Sequence, residues 1–370
     1  MFLRIPQPLL DADAAHHEIL RRITFSRHLN PENAPEARRA FLRGAEAPPF
    51  RYIPFIEADD ALRQLDLYEP PRDTALGLLI GRIFDGTRTL VYALRDRSSA
   101  AFDALNRQAG WYPDEETLAL QFDEGEEEDQ PLDIPASTLI ARLELALTER
   151  GLRGWRVEPD TVMAARVLVD GAKRVIRVHP GAAFRQRDLA RLVVHEIDVH
   201  AMRSENGDAQ PLRCFSTGLP DSLLTEEGLA MVAEERAGVA SPGSLARQME
   251  VVKAVDAARR CGFRELYTEL SARHGAGMAW SVCLRVKRGL SDPGAPGVYA
   301  KDAVYLMGRM LVQRWLEAGG DAAWLWTGKV AVTDPVGEWL RSGWLRPGRV
   351  PPGWISPAEG PQSPPLSSRP

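Results

Sequence analysis

Two histidines frame a glutamate in His195-Glu196-Ile197-Asp198-Val199-His200, in a chain that has only 7 histidines among 370 residues. The residues leading into this HExxxH segment, Asp188, Leu189, Leu192 and Val193, have the spacing of a helix. In a regular helix, positions i and i+4 lie about 40° apart around the axis, and i and i+5 about 140°. The metal-binding HExxH pattern uses the first spacing. Here both imidazoles reach one ion only if the helix absorbs an extra residue, which a single π-type bulge does. The alternative is an undistorted helix with one buried, hydrogen-bonded histidine and one exposed.

A catalytic zinc usually takes three protein ligands and keeps one position open. The next acidic segment is Thr225-Glu226-Glu227-Gly228-Leu229-Ala230. It reads as a helix start, with Thr225 as the cap and carboxylates in the first turn. Those residues suit a plain helix N-terminus. They also suit a glutamate facing the histidine helix, with Gly228 permitting close approach.

The rest of the chain sets the frame. No apolar run reaches the roughly 18 residues of a membrane span; the best stops at Arg82. Three scattered cysteines, Cys214, Cys261 and Cys283, are too few for a disulfide framework, and the odd count fits a reducing, cytoplasmic location. Nine acids and no Lys or Arg lie between Asp114 and Asp129, so the net charge of −5 becomes +4 for everything else. That balance argues against a general nucleic-acid binder.

We expect residues 1–130 to form an N-terminal accessory α/β region with an acidic loop at 114–129. Residues 131–345 would be the catalytic unit and 346–370 a disordered Pro-rich tail. Leu76 to Ile83 and Thr87 to Leu94 flank Asp85-Gly86 and read as two strands, or as a helix and then a strand. Ser137 is expected to cap a helix carrying Leu139, Ile140, Leu143, Ala146 and Leu147. Val167–Val169 and Val175–Val178 are expected to pair as a hairpin about Asp170-Gly171. Its edge would suit addition of an extended peptide. A helix is expected from Lys301 to Leu316. His16-His17-Glu18 reads as solvated.

The run HEIDVHAMRSENGDAQPL…STGLP…TEEGLAMVAEE resembles the QEGLA-motif family, whose animal members are the microtubule-associated tyrosine carboxypeptidases. The matching residues are His195, Glu196, Ile197, His200, Arg203, Asn206-Gly207, Gln210, Gly218-Leu219-Pro220 and Glu227-Gly228-Leu229-Ala230. Weaker similarity extends to Pro49–Tyr52, Arg288-Gly289, Lys301–Gly308 and Gly328-Lys329, so that it covers about residues 20–340. The resemblance implies an α+β fold: a mostly helical, zincin-like metallopeptidase core with a small antiparallel sheet. It also implies Zn2+ held by His195, His200 and Glu227, with Glu196 as general base. Glu226 would then be an exposed acid at the helix start. Two departures stand out: Asp198-Val199 replaces the family's Gly-Thr, and Asp221-Ser222 its Gly-Tyr.

Chemistry adds further expectations. The tetrahedral oxyanion needs a donor, for which Tyr305, His274 and Arg288 are candidates in that order. A carboxypeptidase also needs a cation for the substrate's free C-terminus, for which Arg288, Lys301 and Arg203 are candidates. The substrate would be a peptide or protein C-terminus. The alternative function is a metal-binding regulatory protein of the same fold without turnover.

Overall fold

The structure is a computed structural model and describes residues 5–123, 131–241 and 243–354. The N-terminal part, expected to mix helix and strand, has helices and no strand among its described residues: α1 (Gln7–Arg22), α2 (Phe25–Leu29), α3 (Ala34–Leu42), α4 (Ala58–Leu67), α5 (Ala75–Asp96), α6 (Ser99–Gln108) and the single turn α7 (Glu115–Leu118). The two apolar runs expected to break at Asp85-Gly86 are one helix, α5. Thr74 caps it by accepting from the Gly77 N–H, and Leu76, Ile80, Ile83, Phe84, Val91 and Leu94 keep one buried stripe through the Asp-Gly pair. Asp85 is held there by Arg72, at 2.7 and 2.8 Å, so its carboxylate does not compete for the backbone.

His16, expected in solvent, is buried on α1, with its Nε2 2.8 Å from Thr87 Oγ1 on α5. Asp114 caps α7, and Glu116 pairs with Arg314. The acids from 124 to 129 lie outside the described residues.

The sheet region follows. Strand β1 (Ile134–Pro135) leads into α8 (Ala136–Glu149), whose cap position is Pro135 rather than Ser137. Leu139, Leu143, Ala146 and Leu147 are buried, while Ile140 is only partly so. Strands β2 (Arg156–Pro159), β3 (Val167–Asp170) and β4 (Val175–Val178) form a sheet in the order β2-β4-β3. The expected hairpin is present as β3–β4, with Val169 opposite Ile176. Its turn is a short 3-10 segment, Gly171–Lys173, in which Asp170 Oδ1 accepts from the Lys173 N–H. The sheet is mixed rather than antiparallel, because β2 runs parallel to β4. Strand β5 (Ala183–Phe184) pairs with β1.

From there the chain is helical: α9 (Gln186–Leu192), a π-helical segment (Val193–Ala201), α10 (Met202–Asp208), α11 (Cys214–Thr217), α12 (Ser222–Arg236), α13 (Ser244–Ala258), α14 (Phe263–Lys287), α15 (Val304–Glu317) and α16 (Val336–Arg341). The last of the expected helices therefore begins at Val304, after a 3-10 turn over Ala300–Ala303.

Two apolar clusters clamp the π segment. Ile197 and Ala201 pack with Leu139, Leu143, Ile176, Val178 and Phe184. Val199 and Met202 pack with Leu229, Ala230, Val312 and Trp326. The N-terminal helices share cores with the later chain, since Leu9, Leu65 and Phe84 cluster with Phe215, Leu219 and Val330. Phe41 packs edge-on against Phe263 at 5.0 Å.

Part of the expected tail is ordered. Asn206 and Gln210 tie down the backbone at Arg349 and Arg346, and the Trp354 ring lies 4.6 Å from Trp326. Residues 355–370 lie outside the described residues. Among the described residues no helix is long and apolar enough to cross a membrane. The three cysteines are buried thiols.

Candidate metal centre and active site

The HExxxH spacing is accommodated as its geometry requires. The backbone from Val193 to Ala201 is π-helical, which brings positions i and i+5 to the same side. The His195 and His200 rings stand 4.8 Å apart at 71°. Facing them is α12, buried on every side from Thr225 to Glu234. It starts at Ser222, after Asp221 in a left-handed conformation (φ 65°). Thr225 is therefore inside the helix and not its cap; its Oγ1 accepts from the Val332 N–H.

Glu227 Oε2 lies 3.6 Å from Nε2 of both His195 and His200. One donor atom from each of these residues falls within 4.8 Å of the others. Ligands about 2.1 Å from a tetrahedral centre are about 3.4 Å apart, so the spacing fits one small ion. Glu227 Oε2 is buried and has no hydrogen-bond partner among the described residues. An unpaired buried carboxylate oxygen aimed between two imidazoles is what a cation would satisfy. The donor set fits a divalent metal.

Each donor is oriented from behind. His195 Nδ1 is 2.8 Å from Glu234 Oε1, and His200 Nδ1 is 2.7 Å from Glu226 Oε1. A carboxylate at Nδ1 holds each ring plane so that Nε2 faces the cavity. Lys301 Nζ holds the other Glu227 oxygen at 2.8 Å. Burial alone would push the His195 imidazole down, but Glu196, Glu227 and Glu234 outweigh it and raise it to about 10. Burial would push the Glu227 carboxyl up, but Lys301 and the two histidines hold it well below the usual range.

Glu226 is not the exposed acid expected. It is 4% exposed, and it bonds His200 and Arg203 and pairs with Lys329 at 3.2 Å. Two residues that orient the donors were thus not recognised in the sequence, Glu226 and Glu234. Glu234 carried a signal: seven residues after Glu227, it returns to within about 20° of the same helix face.

A cavity of about 290 Å³ opens on this cluster. Glu196, Tyr305, Arg288 and Lys301 line it together with the three donors. The Tyr305 ring lies 6.4 Å from that of His195. Arg288 forms an ion pair with Asp302 at 3.2 Å, and its Nε has no partner among the described residues. Arg285, another lining residue the sequence did not suggest, grips Asp302 through two bonds of 3.0 and 2.9 Å.

Two other expected site residues lie elsewhere. Arg203 is fully buried, donates to the Leu325, Gly328 and Val330 carbonyls as well as to Glu226, and does not line the cavity, so it is out of reach of a substrate carboxylate there. His274 bonds Glu250 at 2.8 Å and lines a different pocket. Asp198 points away from the cluster, into a two-bond pair with Arg150 at 2.6 and 3.1 Å.

A mostly helical α+β fold with a buried His–His–Glu donor set lining a cleft defines the class. A family model described as microtubule-associated tyrosine carboxypeptidase matches residues 115–363, and the chain belongs to that family. Microtubule-associated tyrosine carboxypeptidase 1 of Mus musculus is 29% identical over 164 residues, 43% of this chain and 34% of the mouse protein. The Homo sapiens protein of the same name matches at 29% over 164 residues with the same coverage. MATCAP2 of Mus musculus is 30% identical over 139 residues, 36% of this chain and 26% of that protein. The matched part thus spans about a third or less of these relatives' length.

Proposed function

We propose that the protein is a zinc-dependent, carboxypeptidase-like peptidase that removes a C-terminal residue from a peptide or protein in the cytoplasm. The observation that carries this reading is the unpartnered Glu227 Oε2 set between the His195 and His200 Nε2 atoms, with Glu196 in the same cavity. Two neutral imidazoles and one carboxylate are a zinc-type donor set. When bound by these three residues, zinc supplies Lewis acidity, which acidifies a water and polarises a carbonyl.

The chain's own groups do the rest. Glu196 accepts the proton of the attacking water and delivers it to the leaving amine. Tyr305, in the same cavity, is the donor we assign to the developing oxyanion. Arg288, whose buried Nε has no hydrogen-bond partner among the described residues, receives the substrate's C-terminal carboxylate. Strand β3 is an edge strand, and Val167, Leu168 and Val169 line the cavity, which suits an extended peptide added along it. The names of the relatives make a C-terminal tyrosine the first residue to try.

The test is hydrolysis of peptides with varied C-terminal residues by zinc-loaded wild type and Glu196→Gln. Release of the last residue by wild type, falling about 10²–10⁴-fold in the variant with zinc retained, supports the proposal. Equal and negligible release by both would exclude it.

A further inference from the structure

Among the described residues, three buried side-chain atoms without a hydrogen-bond partner belong to residues lining this cavity: Glu227 Oε2, Arg288 Nε and Asn30 Oδ1. The metal donor set and the carboxylate contact account for the first two. Asn30 has no role in either. It follows α2, is 5% exposed, and its backbone N–H is already bonded to the Ser26 carbonyl. Its backbone is extended (φ −86°, ψ 138°), as favoured by the following Pro31. A buried amide oxygen left unpaired is costly, so its place in a cleft points to a ligand that pairs it.

The chemistry of that ligand follows from the edge strand β3, which lines the same cavity. A peptide laid along β3 turns the N–H and C=O of alternate residues toward the strand. The N–H groups between them face away and need an acceptor once water is excluded. We propose that Asn30 is a substrate-binding residue whose side-chain oxygen accepts a main-chain N–H of the bound peptide, at an amide other than the scissile one. This rests on the peptidase reading and extends the site to a segment outside residues 115–363, the span matched by the family model. Phe25, Leu29, Leu90 and Leu94, also outside that span, add apolar lining to the same cavity.

The probes are an alanine peptide ending in tyrosine with a free carboxylate and its singly N-methylated forms, given to zinc-loaded wild type, Asn30→Ala and Asn30→Asp. Asn30→Ala is expected to lower kcat/KM about 10-fold or more, mainly through KM, with zinc content and Tm unchanged. One non-scissile N-methylation should cost wild type and Asn30→Asp a similar factor and cost Asn30→Ala nothing further. An unchanged KM in Asn30→Ala, or an N-methyl penalty undiminished by that substitution, overturns the assignment. Should Asn30→Ala fail to fold, the near-isosteric Asn30→Asp decides: it keeps the acceptor and must keep the penalty. If wild type cleaves no peptide but calorimetry shows binding with the same N-methyl pattern, the peptidase reading falls and the Asn30 contact stands. If nothing binds, both fall.

Discussion

His200 and Glu226 are joined by a 2.7 Å hydrogen bond between imidazole Nδ1 and carboxylate Oε1, and Arg203 and Lys329 in turn hold Glu226. A ligand histidine fixed in this way has its tautomer and ring plane chosen by the protein. Glu226→Ala is therefore expected to weaken metal binding about 10–100-fold without abolishing it. Glu227→Ala should abolish it. Competition with a chromophoric chelator measures both. Wild-type affinity in Glu226→Ala would remove this orienting role.

Gly228 and Gly308 let α12 and α15 touch backbone to backbone. An ideal Cβ on Gly228 would stand 2.1 Å from the Gly308 carbonyl carbon and oxygen, and one on Gly308 would stand 1.9 Å from the Leu224 oxygen. Since the opposing atoms are backbone, relief requires moving a helix. Gly228→Ala should cost about 3 kcal/mol. It should also displace the neighbouring Glu227 and reduce metal content. A urea midpoint equal to wild type would contradict this.

The Asp198–Arg150 pair explains how the chain tolerates a carboxylate inside the histidine motif. The pair faces away from the donor atoms, and the Asp198 carbonyl accepts from the Trp326 Nε1–H at 3.0 Å. Arg150→Ala leaves a buried carboxylate unpaired. The expected loss is about 2–3 kcal/mol, below the range for fully buried pairs because Arg150 is partly exposed. Zinc affinity should change little. Denaturant unfolding and metal titration of the same variant separate the two effects.

His16 makes the fold acid-sensitive. Burial, and secondarily His17, push its imidazole down to about 4, while the unfolded chain titrates near the ordinary value of 6.5. Between these values the unfolded state binds more protons, so stability falls as pH drops from 6.5 toward 4 and is complete above 6.5. The loss amounts to about 3 kcal/mol at the low end. His16→Gln should flatten this part of the stability–pH profile. An unaltered slope in the variant would show that other groups cause it.

The histidine helix was legible in the sequence because a spacing of five is a geometric demand that only a bulged helix meets. Glu226 was not legible: a first-turn acid and a buried hydrogen-bonding partner have the same local sequence. What decides between them is Arg203 and Lys329, distant in sequence and brought in by packing. Helix α5 was misread at Asp85-Gly86, because the local turn signal competes there with an apolar stripe that continues through it. Strand β2 gave little signal, since its four residues, Arg156–Pro159, hold one aliphatic side chain, Val157. Arg285 and Asp302 meet only after α14 and the following 3-10 turn pack together.

If His195, His200 and Glu227 hold one zinc ion, the metal must leave with Glu227. Zinc content of the purified protein, measured by mass spectrometry on wild type, Glu227→Ala and Glu196→Gln, tests it most directly. About one zinc per chain is expected in wild type and Glu196→Gln and almost none in Glu227→Ala. No zinc in wild type after loading, or an equal zinc content in Glu227→Ala, would contradict it.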